Sequence, residues 1–190
     1  MTETGKRPLR ADAQRNRDKL LAAALAAFAG PAGADASLES VAKQAGVGIG
    51  TLYRHFPTRE ALVEAVYRNE VERLCDAASG LLAGGAPDAA LRQWMDGLVD
   101  YMTTKRGMAA ALQSVIASGG DPFAETRGRL LSALQSLLDA AVAAGAIRGD
   151  VAAHDVLRGV SGVSLAAPDD REQAGRLLDL LLDGLRYRPS

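Results

Sequence analysis

Five breaks rich in glycine, proline and aspartate divide this sequence: GPAGAD at 30–35, AGGAPD at 83–88, SGGDP at 118–122, GAIRGD at 145–150 and AAPDD at 166–170. Between them apolar residues return every three or four positions, the spacing of one helical face, and not at every second position as a half-buried strand requires. The segments are made mostly of alanine and leucine, which favour helix, and β-branched residues are few outside short runs. Hydrophobic residues make up 48% of the chain and aromatic residues 4%. Its 20 glycines are numerous for a helical protein, but many stand where helices should stop. The fold class expected is therefore all-α, with about nine helices.

The first helix is expected from Ala13 to Ala29, with Leu20, Leu21, Ala24, Leu25 and Phe28 on its inner face. Residues 1–12 are polar and read as disordered outside a complex. Ser37 is placed to cap a second helix, Leu38 to Ala45, which Gly46 ends. A short third element follows at Gly48 to Phe56; Pro57 closes it, and Thr58 can cap a long helix from Arg59 to Leu82. Further helices are expected at Ala89–Thr104, Met108–Ala117, Phe123–Ala144, Ala152–Leu165 and Asp169–Arg186.

The 190 residues suffice for one sizeable core or for a small domain fused to a larger one. Formal net charge is −1, so the chain as a whole is not a polycation. The first 60 residues nevertheless carry Lys6, Arg7, Arg10, Arg15, Arg17, Lys19, Lys43, Arg54 and Arg59 against Glu3, Asp12, Asp18, Asp35, Glu39 and Glu60, and the remainder is net acidic. A basic end on a near-neutral chain suits a local polyanion footprint. With Cys75 alone, no disulfide framework or cysteine-based zinc site can form, and it reads as a small packed hydrophobe. His55 and His154 are too far apart in sequence to suggest a metal centre. No segment reads as a signal peptide or membrane span, so the expected location is cytoplasmic. No cofactor is expected.

Three short helices with a QAGVG turn between the second and third describe a helix-turn-helix; the alternative is a helical hairpin that caps a bundle. A helix of about two turns has few internal hydrogen bonds and little face to bury. Leu52 and Phe56, four apart, can anchor it. That leaves Ile49, Gly50, Thr51, Tyr53 and His55 for a DNA major groove and its phosphate walls, with Gly48 and Gly50 allowing close backbone approach.

The stretch SLESVAKQAGVGIGTLYRHFPTREALVEAVY, and residues 10–75 around it, resemble the DNA-binding domain of TetR-family transcriptional regulators. The resemblance implies a homodimer, usually a repressor, on a near-palindromic operator. By motif, Thr51, Tyr53 and His55 would be the main contacts, Ile49 and Gly50 would face bases, and Ser37 and Arg59 would reach phosphates. Arg54 is a further candidate contact, as are Arg10, Arg15 and Arg17. Gly48 and Ile49 depart from the family pattern, where serine or lysine is common; Ile49 is then available to thymine methyl groups.

LVDYMTTKRGMAAAL, followed by a glycine turn, is similar to the C-terminal domain of the SbtR-like subgroup. Two domains are expected: a reader head at 1–60 and a helical effector-binding and dimerisation domain at 61–190. The bulky residues Trp94, Leu98, Tyr101, Met102, Met108, Leu112, Ile116 and Phe123 read either as bundle core or as the lining of a cavity for a small, apolar to mildly polar effector. Val156, Val160, Val163, Leu177, Leu178, Leu181, Leu182 and Leu185 exceed what one partner face needs and suggest a dimer interface, with Gly159 and Gly162 permitting close approach. No catalytic triad, phosphate loop or carboxylate-metal motif appears, so an enzyme is not expected. The remaining alternatives are an activator, a ligand-independent regulator, and a helical ligand-binding or adaptor protein that does not bind DNA.

Overall fold

A computed structural model describes residues 6–30, 35–123 and 125–186. The helices among them are α1 (Lys6–Ala29), α2 (Leu38–Ala45), α3 (Ile49–His55), α4 (Arg59–Gly84), α5 (Pro87–Gly107), α6 (Ala109–Ala117), α7 (Thr126–Ala143), α8 (Ala153–Ala166) and α9 (Arg171–Arg186), with no strand among the described residues. The expected order and number hold. Two boundaries move for identifiable reasons. Helix α1 begins at Lys6, so residues 6–12 are helical and only 1–5 of the tail expected to be disordered lie outside the described residues. Pro8 falls in the first turn of α1, where its missing N–H has no intrahelical partner to lose. Helix α5 likewise opens on Pro87. The GPAGAD break falls mostly on 31–34, also outside the described residues.

The chain forms two compact units, 1–69 with 105–122 and 70–104 with 123–190, where the sequence suggests a single division near residue 60. In the first, α1 and α2 pack together and α3 packs against both. Leu20, Leu21, Ala24 and Phe28 of α1 meet a core completed by Val41, Ala42, Leu52, Phe56, Leu62, Val66, Tyr67, Met108 and Leu112, all buried. The local signals act as the sequence suggests. Ser37 Oγ accepts from Ser40 N at 3.1 Å, and Thr58 Oγ1 accepts from Ala61 N at the same distance. Gly46 takes a left-handed φ of 68° and ends α2, its N–H donating to the Lys43 carbonyl. That conformation favours glycine and turns the chain sharply into α3.

In the second unit, Trp94 is 1% exposed and its indole Nε1–H donates to the Leu74 carbonyl at 2.9 Å. Around this unit's core, α5 and α9 are joined by ion pairs in antiparallel order. Arg186 bonds Asp88; Arg92 bonds Asp96, Asp179 and the Gly175 carbonyl; Arg171 bonds Asp96 and Asp100. Helix α9 is capped by Asp170, whose carboxylate accepts from Gln173 N at 2.8 Å.

Candidate nucleic-acid interface

Helix α3 is anchored through one side and open on the other. Leu52 and Phe56 are buried, as the spacing requires, while Tyr53 is 45% and Ile49 38% exposed. Gly48, the N-cap of α3, and Gly50 in its first turn are exposed, and Thr51 and His55 are half-buried. A Cβ added at Gly48 or Gly50 would meet nothing within 4 Å. Ser37 stands exposed at the start of α2. The residues assigned to the DNA face are thus exposed or half-buried, and two cations among them are engaged within the unit.

Arg59 is committed to the unit's own structure. Its guanidinium lies over the Phe28 ring, 4.8 Å from the centroid, and donates to the Ala36 carbonyl. Arg59, which the resemblance assigns to a phosphate, here acts as a clamp joining the end of α1, the start of α2 and the start of α4. Lysine offers a compact charge without the planar fork, and cannot do both. Arg59→Lys is therefore expected to lower stability by about 1–3 kcal/mol, read by thermal unfolding; unchanged stability would mean the clamp is idle.

Arg54 turns back along its own helix. Its Nε donates to the Gly50 carbonyl at 3.1 Å and Nη2 to Thr51 Oγ1 at 3.2 Å. Among the N-terminal cations, Arg17 lies over the Phe56 ring at 5.8 Å and Arg15 pairs with Asp12. The side chain of Arg10 lies outside the described residues. Lys19 and Lys43 are exposed; neither was singled out by motif.

The suggested effector lining is divided between the two units. Met108, Leu112 and Ile116 belong to the first unit, whereas Trp94, Leu98, Tyr101, Met102 and Phe123 belong to the second. Trp94, Leu98 and Tyr101 are solid core, and Ile116 is exposed. The second unit also has an open groove of about 710 Å³ between α4 and α7, flanked by Cys75, Ala78, Leu82, Gly128, Arg129 and Ala133 among others. Small side chains on facing helices leave this space, so bulky residues do not mark it in the sequence. Burial pushes the Cys75 thiol above its ordinary range, with Arg129 opposing.

The suggested dimer residues also divide. Val156, Val160, Leu178, Leu182 and Leu185 are buried within the protomer, and Gly159 receives Leu181 of α9 at 3.2 Å from where its Cβ would be. Half-buried Val163, Leu177 and Leu181 remain, joined by Leu165 and Leu180, which are 71% and 68% exposed.

A three-helix head that holds a short, outward-facing third helix at a glycine turn is a helix-turn-helix DNA-binding unit. Comparisons with known proteins agree. Residues 20–66 match the model for bacterial regulatory proteins of the tetR family, and residues 86–187 match the model for the C-terminal domain of SbtR-like transcriptional regulators. The crystal structure of a TetR transcriptional regulator from Streptomyces coelicolor is 56% identical, with a TM-score of 0.86 over 91% of this chain and 99% of its own. A TetR regulator from Mycobacterium vanbaalenii is 35% identical, with a TM-score of 0.78 over 95% of this chain and 100% of its own. The HTH-type transcriptional repressor KstR of Mycolicibacterium smegmatis is 40% identical over 82 residues, which span 42% of this chain and 40% of that repressor. The chain belongs to the TetR family. It is a transcriptional regulator and not an enzyme.

Proposed function

We propose that this regulator is a cytoplasmic repressor that binds a near-palindromic operator as a homodimer and is released by a small effector. The observation that carries the DNA reading is the open face of α3, where two glycines with empty space beside them adjoin an exposed isoleucine and tyrosine. Nothing in the packing of the described residues asks for that combination, whereas a major groove does. Repression is supported by the likeness to the mycobacterial repressor over 82 residues.

Homodimerisation is supported by Leu165 on α8 and Leu180 on α9, two large apolar side chains left in water beside Leu177, Leu181 and Val163. The open glycine Gly162 lies on the same helix as Leu165, and no described atom stands within 4 Å of where its Cβ would be. A two-fold partner on these helices would cover them and set the spacing of two heads on a palindrome. For the effector, the α4–α7 groove replaces the cavity suggested by sequence. Its walls combine Ala78, Leu82 and Ala133 with the hydroxyls of Ser79, Ser132 and Ser136, which suits an apolar to mildly polar molecule. Helix α4 starts just beyond α3 and lines the groove further along, so a ligand that prefers one position of α4 would shift the equilibrium of the head.

The test is capture of fragmented genomic DNA by the purified protein, followed by titration of the recovered duplex against salt. A palindromic motif, two chains per duplex and an affinity that falls steeply with salt are expected. Recovery of fragments without a shared motif would reduce the function to non-specific binding. Absence of any recovery would sink the repressor reading for the ligand-free protein.

A further inference from the structure

We infer that Arg54 is a positioning residue for DNA readout: it does not hold the duplex itself but sets Thr51 as a hydrogen-bond donor. This rests on the DNA-binding reading of α3 and adds to it a direction for one contact.

The geometry is local and specific. Arg54 is exposed, no carboxylate among the described residues pairs with it, and its guanidinium lies back along the helix on Gly50 and Thr51. The two contacts use different nitrogens of the planar fork, Nε on the Gly50 carbonyl and Nη2 on Thr51 Oγ1. Thr51 Oγ1 receives no other hydrogen bond from a described residue. A hydroxyl has one proton and two lone pairs. With one lone pair taken by a cationic N–H, the Thr51 proton is turned away from Arg54 and left for an outside acceptor, and the O–H is polarised by the adjacent charge. Thr51 therefore offers the groove a donor. It suits acceptors on base edges, guanine O6 and N7, adenine N7 or thymine O4, or a phosphate oxygen, while its one remaining lone pair, drawn on by the neighbouring cation, is the weaker partner for the amino groups of cytosine and adenine. Lysine at this position would keep the charge but could not divide two N–H donors between a carbonyl and a hydroxyl in a fixed plane.

The experiment measures binding of the whole protein to a randomised duplex library and the salt dependence of the best duplex. It compares wild type with Arg54→Ala, Arg54→Lys, Thr51→Val and the Arg54→Ala/Thr51→Val double variant. Arg54→Ala and Thr51→Val should lose base preference at the same operator position, by about 3- to 10-fold per head. The double variant should lose no more than either single one, and Arg54→Lys should not restore the preference. The slope of log affinity against log salt should be the same for Arg54→Ala as for wild type, and melting temperatures should be unchanged, because Arg54 is exposed.

A slope reduced by about 0.9 per head, with affinity falling evenly across sequences, would show that Arg54 holds a phosphate and would overturn the inference. So would additive losses in the double variant, full rescue by lysine, or an Arg54→Ala protein with unaltered preference. Failure of the wild type to bind any duplex removes the DNA-binding reading and this inference together, and is seen before any variant is compared.

Discussion

Trp94→Ala is expected to lower the stability of the folded chain by about 3–5 kcal/mol, the range for deleting a large buried aromatic side chain. For a chain of this size that corresponds to a fall of ~6–20 °C in Tm. The indole is 1% exposed, and its N–H is bonded to the Leu74 carbonyl at 2.9 Å, so the variant removes both packing and the bond that ties α5 to α4. Trp94→Phe keeps most of the volume and loses only the N–H, and should fall well short of the alanine variant. Thermal and urea unfolding give both values. Had Trp94 lined an effector cavity, alanine would enlarge an existing space at small cost and change effector response more than stability. A loss below about 1 kcal/mol would restore that view.

Most of the fold is legible in the sequence because its signals are local. The three-to-four spacing of apolar residues and the Gly/Pro/Asp breaks act within a few positions of where they stand, and Ser37, Gly46 and Thr58 cap or end helices as their side chains dictate. Less local features were not readable. That α6 completes the core of the first unit, through Met108 and Leu112, depends on packing with residues some forty or more positions away. On α5, the stripe Asp88, Arg92, Asp96, Asp100 recurs at four-residue spacing, which places the charges on one face. The sequence alone cannot say that α9 supplies Arg186, Asp179 and Arg171 to meet it. These pairs are mostly exposed, and each contributes little to stability; their value is to fix the register of two helices whose apolar faces would tolerate several.

The same distinction divides the site. Exposure of α3 follows from its length and the spacing of Leu52 and Phe56, so Ile49, Gly50, Tyr53 and His55 could be named as a surface. The arginines could not be sorted. A long cation is placed by whichever acceptor lies within reach: for Arg59 that is the Ala36 carbonyl, 23 residues earlier, and for Arg54 its own helix. The apolar terminal helices show the complementary difficulty. Pattern reveals a surplus of leucine and valine on α8 and α9, yet the division between Leu178 or Leu182 inside and Leu165 or Leu180 outside appears only once the two helices are packed.

Gly50→Ala should move stability and function in opposite directions. Glycine within a helix is destabilising by roughly 0.5–1 kcal/mol relative to alanine. Nothing among the described residues compensates that cost at Gly50: its φ is not left-handed, and an added Cβ would meet no described atom within 4 Å beyond its own stretch of helix. The variant should therefore fold normally and melt at a higher temperature, by roughly 0.5–1 kcal/mol of added stability. Its operator affinity should fall by about 1–3 kcal/mol per head, comparable to losing a base contact, because the methyl group occupies the space through which α3 approaches the groove. Paired measurements on one preparation, urea unfolding and duplex titration at fixed salt, read both effects. A protein destabilised by alanine would place an unseen constraint on Gly50 within the fold. A stabilised protein with undiminished affinity would show that the closest approach lies elsewhere on α3, at Tyr53 and His55, and that the open space beside Gly50 is not where the duplex sits.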